Sequence, residues 1–244
     1  MKRLRNTGKR IWKEITLLST EFIIVLVLFL VSALVFVRVV NTIFIEKKED
    51  FDHHVFALIA PYITSANTSL MLFFTFLGKH NFLIPANLLL IAYFLFVRKH
   101  KWFSIRVSAV AISSLSLMVL LKTSFNRPRP SLPVLTEVSG LSFPSGHALM
   151  SFAFYGLLIY IVRNSVKNKA LRLLLVVLLL LLIAMIGFSR IYLRVHYASD
   201  VLAGFAVGFI WLVLSLTIIR QLEKRSLRRL AAASGQEKEP EAKP

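Results

Sequence analysis

Long apolar runs separated by short charged stretches make up most of this chain. They occupy roughly residues 22–44, 55–77, 82–97, 105–121, 147–162, 171–188 and 200–219. A membrane-crossing helix needs about 20 mostly apolar residues, with about 17–25 the usual range. Seven segments are therefore candidates. Segment 55–77 differs from the rest because PYITSANTS, Pro61 to Ser69, places a polar stretch in its middle. Read as an interfacial amphipathic segment over about 52–77, it leaves six spans, at about 22–44, 82–97, 105–121, 147–162, 171–188 and 200–219. The expected fold class is all-α: an integral membrane six-helix transmembrane bundle with an interfacial segment before the second span.

Charge selects the same count. Most of the 30 Lys and Arg fall in four clusters: Met1–Lys13, Arg98–Arg106, Arg163–Arg172 and Arg220–Arg229. With six spans, every cluster lies on one side and the acidic loop IEKKEDFD on the other. A seventh span would move the N-terminal cluster across the membrane. The excess of Lys and Arg in cytoplasmic loops therefore favours six spans with both termini cytoplasmic. The expected organisation is a basic cytoplasmic N-terminus (1–21), a six-span domain (22–220) and a basic, then disordered, cytoplasmic tail (221–244).

Composition narrows the chemistry. Of 244 residues, 57% are hydrophobic, which points to a membrane protein. The first apolar run is expected to stay as a span, since no cleavable-looking signal precedes it. Cysteine is absent, so disulfides, thiolate nucleophiles and thiolate metal sites are excluded. The net charge of +18 would suggest nucleic acid on a soluble protein. Here the clusters flank spans, so the expected partners are bilayer lipids and not nucleic acid.

The outer loops then hold an anomaly. The stretch KTSFNRPRPSLPVLTEVSGLSFPSGHA carries Lys122, Arg127, Arg129, Ser145 and His147. SRIYLRVHYASD carries Arg190, Arg194, His196 and Asp200. Ionisable groups at a membrane edge, against the charge rule, mark a functional site by default. Several cations and a Pro144-Ser145-Gly146 turn opening a helix suit an anion with many oxygens. Arginine gives bidentate donors to phosphate, and a helix start gives free N–H groups. Two histidines can serve as nucleophile and acid. His196 and Asp200 are four apart, so on a helix they share a face, and the carboxylate can orient the imidazole. Asp200 and Glu137 are the only acids near the motifs, too few oxygen ligands for a divalent-metal mechanism. The remaining histidines, His53, His54, His80 and His100, are read as interfacial residues.

Three motifs in order, Lys122-x6-Arg129-Pro130, Pro144-Ser145-Gly146-His147 and Ser189-Arg190-x5-His196-x3-Asp200, resemble the signature of the type-2 phosphatidic-acid phosphatase superfamily. The span layout is also similar to that of the bacterial membrane lipid phosphatases in it. The resemblance implies hydrolysis of a membrane lipid phosphate, with no cofactor or metal, at the outer face of a bacterial cytoplasmic membrane. It implies that His196 attacks phosphorus to form a phosphohistidine, that Asp200 orients His196, and that His147 protonates the leaving group. Lys122, Arg129, Ser145, Gly146 and Arg190 would bind the phosphoryl oxygens. Pro130 and Pro144 would lie just outside the residues that touch the phosphate. Arg127 either backs the site or meets a head group. Arg194 lies off the pattern, where a lipid or surface contact competes with a catalytic role. The substrate is expected to be phosphatidylglycerophosphate, phosphatidic acid or undecaprenyl pyrophosphate. The alternatives are a lipid phosphotransferase using the same site and a non-hydrolytic anion or lipid transporter.

Overall fold

The structure, a computed structural model, describes residues 2–131, 133–134 and 139–233, and no side chains at 2–19 or 231–233. Glu137 and the expected disordered stretch 234–244 lie outside the described residues. The chain forms eight α-helices among the described residues: α1 (Lys2–Val40), α2 (Asp50–Ile59), α3 (Ser65–Leu77), α4 (His80–Ala92), α5 (Lys101–Phe125), α6 (Gly146–Ser165), α7 (Lys169–Tyr192) and α8 (Ala198–Ala233). No strand occurs among these residues. Single π-helical turns, Asn41–Ile45 and Tyr93–Val97, extend α1 and α4.

Among the described residues, six helical stretches are long and apolar enough to cross a membrane: Thr20–Ile45, His80–Val97, Lys101–Phe125, Gly146–Ser165, Lys169–Tyr192 and Ala198–Leu230. Segment 52–77 instead breaks into α2 and α3, joined by a tight turn at Ala60–Tyr62. Pro61 has no N–H to donate, which makes it a poor residue for a helix interior. Downstream, the Thr64 hydroxyl accepts the Asn67 N–H at 3.3 Å and so caps α3. The outer helices are longer than their apolar runs. α1 continues back through KRLRNTGKRIWK and α8 forward through EKRSLRR, because Lys, Arg, Glu and Leu are good helix formers whether or not they sit in lipid.

α6 is the central helix, packed against α5, α7 and α8. Its approach to α8 depends on Gly204 and Gly208. A methyl group at Gly204 would stand 2.8 Å from the Ser145 carbonyl oxygen, and one at Gly208 would stand 3.0 Å from that of Leu149. Small residues four apart allow such backbone contact in membranes, where apolar lipid gives helices no hydrophobic reason to associate. Many large apolar side chains are exposed, Phe22, Leu34, Leu173 and Ile218 among them, whereas Asp52, Arg127, Arg190, His196 and Asp200 are buried. That inversion fits a body facing lipid around a polar site. The polar groups gather where α5 ends, α6 begins, α7 ends and α8 begins. The basic clusters after α4, between α6 and α7, and along late α8 lie at the opposite end of these helices.

Candidate active site

The site is assembled from helix ends. α5 stops when Asn126 takes a left-handed conformation (φ 48°), which turns the chain towards Arg127 and Arg129. The chain returns to α6 through Ser142, and Phe143 packs against Phe44 and Phe125 with ring centroids 5.1 and 4.9 Å apart. Ser145 caps α6: its hydroxyl accepts the Ala148 N–H at 3.4 Å, while its own N–H donates to the Asp200 carbonyl oxygen at 3.0 Å. After α7 the Arg190 carbonyl oxygen accepts the N–H groups of Val195 (3.2 Å) and His196 (3.3 Å). Arg194, at φ 52°, makes the turn this requires.

The pairing of His196 with Asp200 does not arise from a shared helical face, which corrects the spacing argument. α8 begins at Ala198, so His196 lies outside it. Asp200, in the first turn, reaches back to accept the Tyr197 N–H at 3.0 Å. This is half of a capping box, in which an acid at the third helical position satisfies a free N–H at the helix start. The bend leaves Nδ1 of His196 3.5 Å from Oδ2 of Asp200. Ser142 bridges the gap, with its hydroxyl oxygen 3.3 Å from Nδ1 and a short hydrogen bond to the same carboxylate oxygen.

The other imidazole nitrogen defines the tautomer. Nε2 of His196 lies 3.2 Å from Nη1 of Arg129. A guanidinium has donors and no acceptor. Nε2 must therefore be the unprotonated nitrogen, and Nδ1 carries the hydrogen towards Ser142 and Asp200. His196 is only 2% exposed. Burial pushes its pKa down to about 4, with Arg129 and Arg190 acting in the same direction and Asp200 opposing them. The ring is neutral at ordinary pH, with a lone pair on Nε2.

Arg129 and Arg190 lie within electrostatic range of this ring, and Lys122 within range of both arginines. Arg129 is fixed by donating from Nε to the Gly140 carbonyl oxygen (3.0 Å) and from Nη1 to that of Val195 (2.7 Å). Lys122 donates to the Leu141 carbonyl oxygen at 2.5 Å. Arg190 donates from Nη1 to the Thr75 hydroxyl at 3.3 Å, and its Nε has no partner. His147 lies in the first turn of α6, within electrostatic range of Arg129, Arg190 and His196, and its Nε2 is buried without a partner. A methyl group at Gly146 would meet the Met118 sulfur at 2.7 Å, so packing against α5 as well as the turn favours glycine there. Pro144 is buried and Pro130 half-buried beside these turns.

Two arginines resolve differently. Arg194 lies over the Phe56 ring, 5.7 Å from its centroid, and joins no cluster around His196. Arg127 meets no head group: it is 4% exposed. Its Nη1 donates to Asp200 Oδ1 and to the Ser199 hydroxyl, both at 2.8 Å. Its Nη2 donates to Asp52 (3.0 Å) and Glu49 (3.2 Å). Burial opposes its charge, but Asp200 and Asp52 outweigh that and raise its pKa. Sequence reasoning missed Asp52, Ser142, Ser199 and Thr75. The one available signal was the acid-rich IEKKEDFD facing unpaired outer arginines.

Among the described residues no three His, Asp or Glu side chains form a metal-binding group. Asp200 and Asp52 are instead engaged by Arg127 and by hydroxyl and N–H donors.

The family model for the PAP2 superfamily matches residues 103–224. Phosphatidylglycerophosphatase B of Bacillus subtilis (strain 168) is 28% identical over 151 residues, covering 62% of this chain and 72% of that protein. Lipid phosphate phosphatase delta of Arabidopsis thaliana is 29% identical over 115 residues, 42% of this chain and 28% of that one. Among solved structures, a transmembrane PAP2 type phosphatidylglycerolphosphate phosphatase from Bacillus subtilis superposes with TM-score 0.72 at 24% identity, over 79% of this chain and 96% of that chain. Aquifex aeolicus LpxE superposes with TM-score 0.56 at 30% identity, over 69% and 98%.

Proposed function

Since the chain belongs to the PAP2 superfamily, we propose that it is a metal-independent phosphatase acting on a membrane lipid phosphomonoester or pyrophosphate through a phosphohistidine at His196. The observation that carries this is the setting of the His196 ring: Nδ1 faces the Ser142 hydroxyl at 3.3 Å and Asp200 at 3.5 Å, and Nε2 lies 3.2 Å from Nη1 of Arg129, which assigns the hydrogen to Nδ1 and the lone pair to Nε2. Nε2 attacks phosphorus as the bond from phosphorus to the leaving oxygen breaks. The bond electrons leave with that oxygen, and His147 supplies the proton that makes it a hydroxyl (or, from a pyrophosphate, a protonated phosphate). Water then attacks phosphorus, losing its proton to the now neutral His147, and the N–P electrons return to Nε2. Lys122, Arg129, Arg190, the Ser145 hydroxyl and the Gly146 N–H stabilise the charge spread over the phosphoryl oxygens.

The names of the relatives, a phosphatidylglycerophosphatase and a lipid phosphate phosphatase, support a lipid substrate. So does a polar site at the mouth of helices whose flanks are apolar. The basic clusters at the far end support an outward-facing site and cytoplasmic termini in a bacterial cell membrane. The test is phosphate release by purified protein in EDTA from phosphatidylglycerophosphate, phosphatidic acid and undecaprenyl pyrophosphate, with His196→Ala as control. Release that the mutant abolishes is expected. Release that survives in the mutant sinks the phosphohistidine, and activity lost in EDTA sinks metal independence. Transfer of phosphate to an added lipid alcohol, with none freed, would make the protein a phosphotransferase.

A further inference from the structure

α2 lies against the membrane-facing body with Phe51 and Leu58 exposed, and the one residue of this helix that the structure buries is an aspartate. Asp52 is 0% exposed. Its Oδ2 accepts from Arg127 Nη2 (3.0 Å) and from the Ser199 hydroxyl (2.6 Å), and its Oδ1 accepts the Ser199 N–H (2.8 Å). The other Arg127 nitrogen reaches Asp200, the carboxylate behind His196. The guanidinium is also stacked on Tyr197, 3.9 Å from the ring centroid, and Phe56 of α2 packs on that same ring at 5.8 Å.

We propose that Asp52 is a positioning residue for the nucleophile, tying the interfacial helix to the charge and orientation of Asp200 through Arg127 and Ser199. The inference rests on the reading of His196 as nucleophile. Three carboxylates, Asp200, Asp52 and Glu49, share one guanidinium, so Arg127 does not neutralise Asp200 alone. Asp200 keeps the negative charge that draws the Nδ1 hydrogen of His196 and stabilises a positively charged ring as phosphorus is attacked. A helix resting on lipid thereby becomes part of the catalytic support, and only a docked α2 completes it. Asp52 has no contact with Lys122, Arg129, Arg190 or the Ser145 turn, so the effect belongs to the chemical step.

The experiment uses the full chain in detergent micelles, with Asp52→Asn, which keeps the shape and removes the charge. Steady-state rates give kcat and KM on the best lipid phosphate. A nitrogen-15 histidine titration, assigned with His196→Ala, gives the His196 midpoint without any substrate. The groups facing that ring are Asp200 of α8, Ser142 and Arg129 of the loops, Arg190 of α7 and His147 of α6. All are kept in the variant. Expected are a fall in kcat of about tenfold at unchanged KM and a His196 midpoint lower by about half a unit, since an anion has been removed. Any other combination of kcat, KM and midpoint overturns the proposal. If Asp52→Asn fails to fold, Ser199→Ala is read instead: about threefold lower kcat at unchanged KM supports it, and unchanged kcat overturns it. Failure of the phosphatase reading shows separately, as wild-type protein that releases no phosphate.

Discussion

Nη1 of Arg129 stands 3.2 Å from Nε2 of His196, nearer than the 3.5 Å that separates Nδ1 of the same ring from Asp200. The proposed nucleophilic atom and the cation proposed to bind the oxyanion are thus held together by the protein's own bonds, because Arg129 is also anchored on the Gly140 and Val195 carbonyl oxygens. A lysine cannot make the second anchor and still reach Nε2 with a planar fork. Arg129→Lys is expected to lower kcat/KM by about a hundredfold or more, the scale of losing one transition-state donor. Initial-rate measurements on a lipid phosphate check this, and near wild-type kinetics would remove Arg129 from the site.

Ser142 is the bridge between His196 and Asp200 that the motif spacing did not identify. Ser142→Ala leaves the two groups facing each other at 3.5 Å with nothing between them. The expected result is a kcat reduced about tenfold at unchanged KM, with partial rescue by Ser142→Thr, which restores the hydroxyl. Full activity in the alanine variant would show that Asp200 holds the ring unaided.

The pH dependence follows from the sign of the His196 shift. Its folded value, about 4, lies below the unfolded value of about 6.5. Between those two values the unfolded chain binds more protons than the folded one, so stability falls as pH drops from about 6.5 to about 4. Thermal midpoints in detergent should decline across that window, and less so in His196→Ala. On the acid side kcat/KM should fall with an apparent midpoint near 4 if proton loss from His196 controls it. A substrate-free titration that put His196 itself at about 6.5 would contradict the downward shift, whereas the phosphate monoester's own ionisation at about 6 can add a separate limb.

Gly204 couples packing to chemistry. A methyl group there would press on the Ser145 carbonyl oxygen at 2.8 Å, at the turn proposed to hold phosphate. Gly204→Ala should shift α8 from α6, lower the thermal midpoint and reduce kcat/KM about tenfold or more through misplacement of that turn. Normal activity and melting would show that the two helices separate without cost to the site.

The six spans were legible along the chain, because a bilayer imposes a length and a composition that can be counted residue by residue. The sequence also marked Lys122, Arg129, Ser145, Gly146, His147, Arg190, His196 and Asp200, because ionisable residues at span mouths stand out against apolar surroundings. The tertiary structure alone decided how His196 meets Asp200, since the α8 boundary at Ala198 depends on a carboxylate capping its own helix. It alone decided that Arg127 is buried between Asp52, Glu49 and Asp200 and turned away from lipid. A buried guanidinium takes whichever carboxylates the fold brings to it, and Asp52, 75 residues away in sequence, leaves no local pattern to read.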